Sequence, residues 1–353
     1  MTMTDKLHFE GSTCPLPFQP DDTVVLGHGS GGRLSHDLLK RLFLPELGRV
    51  APRTLDDSAR LILGRNTLAL TTDSHVVSPL FFPGGDIGKL AVCGTVNDLA
   101  MVGAIPEALT CGFIIEEGLP FEILQRVVQS MRASAEEAGV FMAAGDTKVV
   151  QKGSADMLFI NTSGVGRIPP GVEVSGANGK EGDVVILSGS LGDHGIAVLS
   201  AREGLGFETD LVSDVAPLNH LVQVMLEAGE VHVLRDPTRG GLATTLNEIA
   251  LQSNITIEIQ EQALPIRAQV RAACEMLGFD PLFVPNEGKL VAFVAEKDAD
   301  RILEAMRRSK YGSGSVPVGR VVGTGRQQVR LKTAIGGTRL VDMLLGEMLP
   351  RIC

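Results

Sequence analysis

Short apolar runs alternate with amphipathic segments in the first half of the chain, and this alternation predicts an α/β unit. Apolar positions at helical spacing predict helices over 87–103 and 121–139, and the second of these is strongly amphipathic. Runs rich in β-branched and apolar residues predict the strands between them. The predicted strands are 67–73, 108–115, 140–146 and 157–166.

The second half repeats the alternation after a boundary rich in Gly and Pro. The segment PPGVEVSGANGKEGD separates the halves and leads into the apolar strand VVILSG at 184–189. Two α/β (α+β) halves of similar size are therefore expected. The further predicted helices lie near 194–202, 216–228, 241–252 and 267–278, and the further predicted strands lie near 254–259, 290–295 and 317–323.

The two ends of the chain lack this pattern. Residues 1–22 contain three prolines with little periodicity and are expected to form an extended arm. Residues 341–353 have no long apolar run, contain Pro350 and end in Cys353, so a mobile tail carrying a thiol is expected. The expected domains between them are 23–168 and 169–340.

Composition narrows the classes of partner. The net charge of -10 argues against a nucleic-acid partner, which normally needs a basic face. No stretch approaches the roughly 18 to 20 apolar residues of a membrane span, and the start MTMTDKLHFE has no apolar signal core. A cytoplasmic protein without nucleic-acid or membrane partners is expected.

The cysteines indicate reduced thiols. They are odd in number, widely spaced and without a C-x-x-C pair, so neither a disulfide framework nor a zinc knuckle is indicated. Three of them lie in apolar patterns and are expected in the core. The five are Cys14, Cys93, Cys111, Cys274 and Cys353.

A glycine-rich loop, GHGSGG at 27–32, precedes a predicted helix. Its backbone N–H groups can approach an anion closely, and the N-terminus of the helix adds a positive dipole end. The spacing is neither that of a P-loop nor that of a Rossmann turn, and a plain turn has the same composition. The loop is a candidate phosphate cradle through Gly29, Ser30, Gly31 and Gly32.

Three aspartates suggest a magnesium site. Asp73 and Asp146 close two predicted strands, where side chains from separate strands can converge. Asp98 shares a mainly apolar helix face with Asn97, and a buried carboxylate is costly unless it is paired or binds a metal. Mg²⁺ prefers such oxygen ligands together with substrate phosphates. Each aspartate taken singly also fits a cap or a turn.

Further charged residues lie in turns beside glycine. GDTK places Lys148 next to Asp146, and RDPTRGG supplies Arg235, Asp236 and Arg239 before a predicted helix, where arginine can hold phosphate. PNEGKLV places Glu287 just before a buried-looking strand. Surface turns with solvated charges have the same composition, so that interpretation also stays open.

SGSLGDHG at 188–195 forms another predicted strand-to-helix turn, with Asp193 and His194. A single histidine beside glycine is more often structural than catalytic. This motif is therefore not assigned a catalytic role.

Taken in order, these motifs resemble the HypE family of hydrogenase-maturation proteins. The resemblance runs from about residue 24 to the C-terminus. Related ATP-using enzymes of the aminoimidazole ribonucleotide synthetase (PurM-like) superfamily share the glycine loop and the acids but lack the PRIC ending. The motifs are GHGSGG, TTDSHVVSPLFFPGGDIGKLAVCGTVNDLAMVGAIP, GDTKVV, INTSGVG, SGSLGDHG, RDPTRGG, PNEGKLV and PRIC.

The resemblance implies an ATP-dependent carbamoyl dehydratase. HypE proteins convert a carbamoyl group on their own C-terminal cysteine into a thiocyanate, whose cyanide is later passed to the iron of [NiFe]-hydrogenase. It also implies two PurM-like domains, a homodimer joined by strands of the N-terminal domains, ATP and Mg²⁺. The implied partners are the carbamoyltransferase HypF as donor and a HypC–HypD complex as acceptor.

The same resemblance implies roles for individual residues. Cys353 would carry the carbamoyl group, with Glu287 as the proton acceptor and Lys148 as the stabiliser of developing negative charge. The glycine loop would close over the phosphates. The implied nucleotide and Mg²⁺ residues are Asp73, Asn97, Asp98 and Asp146, the three aspartates being the metal ligands, and Arg235, Asp236 and Arg239 would shape the phosphate end.

Two alternatives stay open at this point. An ATP-dependent synthetase or kinase for a small metabolite would keep its turnover after loss of the tail. A carrier that presents Cys353 without doing chemistry would show no nucleotide-dependent change in the mass of the tail.

Overall fold

The computed structural model describes residues 24–47, 55–202, 210–344, 349 and 351–353. The expected arm at 1–22, with Cys14, lies outside the described residues. No helix within the described ranges is long and apolar enough to cross a membrane. The described chain forms two α/β units, each built on one large sheet.

The first sheet has five strands in the order β1-β2-β7-β5-β6, and only β5 and β6 are parallel. A two-stranded hairpin, β3 and β4, stands beside it. The strands are β1 (Ala59–Leu63), β2 (Asn66–His75), β3 (Phe81–Phe82), β4 (Gly85–Asp86), β5 (Ile105–Glu116), β6 (Phe141–Val150) and β7 (Leu158–Ile168).

Helices cover one face of this sheet. The glycine loop leads into two short helices, α1 (Arg33–Leu38) and α2 (Leu44–Leu47). The buried helix α3 (Ile87–Met101) packs on β2 and β7, and α4 (Phe121–Ala138) packs on α3. Asp86 caps α3 because its carboxylate accepts the N–H groups of Gly88 and Lys89.

The other face of the first sheet is exposed in the single chain. Alternate residues of β2 point away from α3, and β6 at the sheet edge is exposed along nearly its whole length. Large apolar side chains lie open on this face, including Leu63 of β1, Leu70 of β2, Ile114 of β5 and Phe141 of β6. An apolar sheet face and a long open edge of this kind are typical of surfaces that another chain covers.

The second sheet has seven strands in the order β14-β13-β10-β12-β8-β11-β9, and only β10 and β13 are parallel. The strands are β8 (Val184–Leu187), β9 (Val231–Arg235), β10 (Ile255–Gln260), β11 (Val291–Val294), β12 (Val316–Thr324), β13 (Gln328–Lys332) and β14 (Thr338–Val341). The helices are α5 (Asp193–Ser200), α6 (Asn219–Ala228), α7 (Gly241–Ser253), α8 (Ala268–Leu277) and α9 (Ala299–Arg308).

The two domains share apolar core and polar links. One cluster of buried side chains joins Leu90 and Val96 of α3 with Ile196 of α5 and with Leu349 and Ile352 of the tail. Burial of apolar surface stabilises at about 25 cal/mol per Å², so this packing fixes the domains and the tail tip on each other. The candidate site lies along the same seam.

The strands and helices that the periodicity predicts are confirmed, with shifts of a few residues at their ends. Cys93 and Cys274 are confirmed as core residues, and Cys111 is half-buried. Elements without a prediction include β1, the hairpin strands β3 and β4, α9 (Ala299–Arg308) and two short strands of the second sheet, β9 (Val231–Arg235) and β13 (Gln328–Lys332). The two strands have five residues each, too few for an alternating pattern to stand out.

Candidate active site

A group of half-buried acids lies where β2 meets α3. Asp73 stands on β2 and Asp98 on α3, and the hydroxyl of Thr71 donates to Asp98 at 2.8 Å. Glycine at position 94 permits the approach, because a Cβ there would lie 3.3 Å from the Asp73 Oδ2. Burial raises the pKa of Asp98 well above its ordinary value, and the negative charges of Asp236 and Asp73 raise it further.

The acid group continues into the second domain. Burial raises the pKa of Asp236 to about 8, with the charge of Asp57 adding to the effect. Burial also raises the pKa of Asp57 to about 6, against the opposing charge of Arg235. Carboxylates that repel one another in a desolvated place favour binding of a cation.

Arg235 is a buried partner of acids. Its guanidinium bonds Asp57, donates to the Leu55 carbonyl at 3.0 Å and pairs with Glu248 at 3.2 Å. The side chain lines the cavity at the predicted phosphate end, but these contacts occupy two of its three nitrogens. In the described structure the guanidinium of Arg235 is therefore engaged by Asp57 and Glu248.

The glycine loop folds over Arg239. The Gly31 backbone has φ +79°, and a Cβ there would lie 2.8 Å from the Arg239 Cβ, so glycine is required on both counts. Arg239 donates to the Gly29 carbonyl at 3.2 Å, and Ser30 donates to the Gly27 carbonyl. Gly32 instead packs against the backbone of Leu344, close to the tail.

Two adjoining cavities share a wall. One has a volume of about 380 Å³ and is lined by the glycine loop, α1, Asp57, Asp236 and Glu248. The other, about 180 Å³, is lined by Ser30, Ser74, Leu349 and Cys353. Gly29 and Arg239 line both. The terminal cysteine thus lines a cavity that adjoins the larger cavity beside the glycine loop.

Glu287 lies buried beside these cavities. Its Oε1 is buried without a hydrogen-bond partner among the described residues. Burial raises the pKa of Glu287 well above its ordinary value, with Asp236 and Asp73 adding to the rise and Arg239 opposing it. A carboxylate with a raised pKa is a stronger base, as proton abstraction requires.

Asn97 holds the backbone of Glu287 in place. Its amide nitrogen donates to the carbonyls of Ala216 and Glu287 at 3.1 and 3.3 Å, and its amide oxygen accepts from the N–H of Leu218. All these partners are backbone groups of the second domain. In this structure Asn97 therefore links the domains and fixes the backbone of Glu287.

The tip of the tail is docked at the site. Leu349 and Ile352 are buried and Cys353 is half-buried, packed against the shared core. Negative charge on the C-terminal residue Cys353 is the main cause that raises the pKa of Arg239. The tip of the tail that the sequence predicts to be mobile thus has a defined seat here, whereas residues 345–348 and 350 lie outside the described residues.

Asp146 and Lys148 do not join this group within one chain. They pair with each other at 2.9 Å on β6 and are both about 70% exposed. Register places Asp146 beside Gly112, Gly112 beside Asn161 and Asn161 beside Ser74, so Asp146 lies three strands, roughly 14 Å, from β2. It lies on the sheet face opposite α3.

The donor set fits Mg²⁺ together with phosphate. No three His, Cys, Asp or Glu side chains among the described residues form a metal site by themselves. Mg²⁺ commonly takes one or two carboxylates and completes its shell with phosphate oxygens and water. Asp73 and Asp98 supply such carboxylates, and the repulsion that raises the pKa of Asp98 is relieved by a cation.

Four further residues of the site carried no functional prediction from the sequence. Thr71, Asp57, His194 and Arg202 lie in ordinary strand, turn and helix contexts, and only their neighbours across the domains give them a role. Thr71 offered one signal, since it stands two residues before Asp73 and so on the same strand face.

The chain matches two adjacent family models: the AIR synthase related protein N-terminal domain over 55–168 and the corresponding C-terminal domain over 180–332. It is 52% identical over 332 residues to the carbamoyl dehydratase HypE of Azotobacter vinelandii, covering 94% of this chain and 97% of that protein. The chain belongs to the HypE family. The two matched domains and the two sheets give this HypE family member a PurM-like fold.

Solved HypE structures agree with this family member in fold. A HypE in complex with ATP is 51% identical, with a TM-score of 0.79, and covers 94% of this chain and 100% of its own. The structure of a HypE–HypF complex is 49% identical, with a TM-score of 0.82, and covers 87% of this chain and 99% of the matched one. The family resemblance expected from the motifs is confirmed.

Proposed function

We propose that this protein is an ATP-dependent carbamoyl dehydratase that acts on its own C-terminal cysteine. The position of Cys353 carries the proposal, because the cavity it lines shares Arg239 and Gly29 with the cavity of about 380 Å³ beside the glycine loop. Membership in the HypE family, with a relative solved in complex with ATP, supports the nucleotide. The product would be a thiocyanate that supplies the cyanide ligand for the iron of [NiFe]-hydrogenase.

The chemistry needs an activated oxygen, because an amide oxygen is a poor leaving group. The carbamoyl oxygen attacks the γ-phosphorus of ATP and ADP leaves, which gives an S-bound carbon carrying a phosphate ester. Loss of inorganic phosphate and of the two nitrogen protons then forms the C≡N bond. The carbamoyl oxygen ends in phosphate, so the sum is thiocarbamate plus ATP to thiocyanate, ADP and phosphate.

The site residues divide between these steps. The backbone of Gly29 and Gly31 and the guanidinium of Arg239 face the cavity that would hold the phosphates. Glu287, buried and basic, would take a proton from the carbamoyl nitrogen. Asp236 lines the same phosphate cavity, and Asn97 positions the Glu287 backbone.

Asp73 and Asp98 would hold Mg²⁺, which when bound neutralises charge on the transferring phosphate. Asp73 stands on β2 and Asp98 on α3, and the hydrogen bond from the Thr71 hydroxyl to Asp98 joins these two elements. Asp98 repels its acidic neighbours in the described structure, so metal binding and nucleotide binding should be coupled.

We further propose a homodimer that completes the site. The outer face of the first sheet and the edge strand β6 are exposed and partly apolar, which favours a second copy as the cover. Asp146 and Lys148 lie on that face, so the dimer would bring them to the partner's site, where Asp146 would act as a third metal ligand and Lys148 as a stabiliser of negative charge.

The proposed partners follow the family. A relative is solved as a HypE–HypF complex, which supports the carbamoyltransferase HypF as donor of the carbamoyl group. A HypC–HypD complex is proposed as the acceptor of cyanide. The proposed location is the cytoplasm, where reduced thiols are stable.

Mass spectrometry of the C-terminal peptide tests the function. The full-length protein is incubated with HypF, its carbamoyl donor and ATP, with Cys353→Ala as the control. The expected result is gain of one carbamoyl group and then loss of one water from the wild-type peptide, with no change in the control.

Two outcomes would overturn the proposal. Carbamoylation without loss of water would indicate a carrier. ATP turnover on a small metabolite that survives in Cys353→Ala would indicate a synthetase or kinase.

A further inference from the structure

Three successive residues at the end of the chain are held by their backbone oxygens. The Arg351 carbonyl accepts from the Ser78 N–H at 3.2 Å, and a Cys353 oxygen accepts from the Val76 N–H at 3.1 Å. This is a short antiparallel pairing with the segment that follows β2. These bonds use only the backbone, so they are compatible with any group attached to the Cys353 sulfur.

His194 of α5 and Arg202, which follows this helix, bind backbone carbonyls of the tail from the other side. The His194 Nε2 lies 3.0 Å from the Ile352 carbonyl, and the Arg202 Nη2 donates to the Arg351 carbonyl at 2.9 Å. The Arg202 Nε also donates to the Ser78 carbonyl at 3.0 Å. Arg202 thus joins the tail to the segment with which the tail pairs.

The hydrogen bonds around His194 define its tautomer. A carbonyl can only accept, so Nε2 carries the proton that is donated to Ile352. Burial lowers the pKa of His194, so its ring is neutral and Nδ1 must accept from the Ser213 hydroxyl at 2.8 Å. The Ser213 oxygen in turn accepts from the Val215 N–H at 3.1 Å. The bonds run in one direction from Val215 to the tail.

The ring of His194 also touches the first domain. It packs edge-on against Phe82 of the β3–β4 hairpin, with centroids 5.4 Å apart and an interplanar angle of 90°. The Ser213 N–H donates to the Pro83 carbonyl at 2.8 Å. His194 is therefore fully enclosed, with its one N–H directed at the tail.

We propose that His194 and Arg202 are positioning residues that hold the C-terminal tail in the site through its backbone. This inference rests on the proposed function for its purpose, but the seat of the tail is tested without any chemistry. Because these hydrogen bonds are made to backbone oxygens, they can hold the thiol, the carbamoyl form and the cyano form alike. Release of the tail would then require these bonds to break whatever group the sulfur carries.

Accessibility of Cys353 to a bulky thiol reagent tests the proposal in the full-length protein. A maleimide carrying a polyethylene glycol chain is too large for the cavity of about 180 Å³, so it reports only the undocked tail. One hydrogen bond contributes about 0.5–1.5 kcal/mol net, which corresponds to a factor of about 2 to 10 in the undocked population. His194→Phe, which keeps a ring against Phe82, should speed modification by that factor.

Matched variants separate the bond from the packing. His194→Gln keeps an N–H donor near Nε2 and should restore much of the protection. His220→Phe is the control, since its Nε2 lies 3.2 Å from the Glu137 carbonyl rather than from the tail. Cys353→Ala gives the background from the other cysteines. Arg202→Met, at a half-buried position, should act like His194→Phe and serves if that variant fails to fold.

A second readout links these tail contacts to turnover. His194→Phe should slow single-turnover dehydration of the pre-carbamoylated protein while the affinity for ATP stays unchanged. Wild-type rates of modification in both His194→Phe and Arg202→Met would overturn the proposal, as would equal exposure in His194→Phe and His194→Gln. Absence of dehydration in the wild type would instead remove the proposed function and leave the modification result standing.

Discussion

The Thr71 hydroxyl donates a hydrogen bond of 2.8 Å to the Asp98 carboxylate and so ties β2 to α3 beside Asp73. The bond places one carboxylate from a strand and one from a helix at the same point. Neither residue's own element supplies this arrangement. It follows from packing α3 on the inner face of the first sheet.

Asp98→Asn should separate stability from ligand binding. The amide oxygen can still accept from Thr71 and the amide carries no charge beside Asp236 and Asp73, so the unliganded variant should be at least as stable as the wild type. Loss of a charged ligand should weaken Mg-ATP binding at least about tenfold. Chemical unfolding and calorimetric titration measure the two effects. Asp300→Asn, on exposed α9, is the control, and lower stability with unchanged binding would contradict the assignment.

The stability of the unliganded protein should fall as pH rises. The pKa values of Asp57 and Asp236 are raised from 3.8 to about 6 and about 8, so between pH 4 and 8 the folded chain binds more protons than the unfolded chain. Their contribution is then fully present below pH 3.8 and is lost as pH rises through the folded values. Urea unfolding at pH 6, 7 and 8 measures the slope. Asp236→Asn should flatten it, and an unchanged slope in that variant would refute the prediction.

Glu287→Gln should stall dehydration without weakening ATP binding. The glutamine keeps the shape and the backbone bond to Asn97 but cannot take a proton from the carbamoyl nitrogen. A loss of roughly 100-fold or more in single-turnover rate is expected for removal of a general base. Glu296→Gln, an exposed partner of Arg320, is the control. Equal losses of nucleotide affinity in Glu287→Gln and Asp98→Asn would mean that these roles are wrongly divided.

Mixing two inactive variants tests the shared site of the proposed dimer. Lys148→Ala removes a residue proposed to act in the partner's site. Glu287→Gln removes a residue proposed to act in the site of its own chain. If the site is shared, a mixed dimer has one complete site, so refolding the two variants together should restore about a quarter of the wild-type sites. Dehydration of the tail measures this, and each variant refolded alone is the control. No recovery, despite dimers in light scattering, would place Lys148 outside the partner's site.

Most of the secondary structure could be predicted from the sequence, because the strands and helices that build the core are long and regular in pattern. The buried helix α3 and the amphipathic helix α4 are examples. The short strands β9 and β13 could not, since five residues carry too little periodicity and are fixed by their neighbours in the sheet.

The sequence also indicated which residue types carry the chemistry, since glycine-flanked acids, arginines and a terminal cysteine are unusual together. It could not tell which of them meet. Asp98 and Glu287 are separated by 189 positions yet feel the same neighbouring charges of Asp73 and Asp236, whereas Asp146 and Lys148 lie on the opposite face of the sheet.

The sequence by itself thus determined the α/β elements, the split into halves and the candidate chemistry, because these depend on local periodicity and residue type. Only the tertiary structure decided that Asn97 links the domains, that Arg235 forms ion pairs with Asp57 and Glu248, and that His194 faces the tail. Hydrogen bonds and charge pairs between distant segments depend on how the two domains pack, and no local pattern encodes that packing.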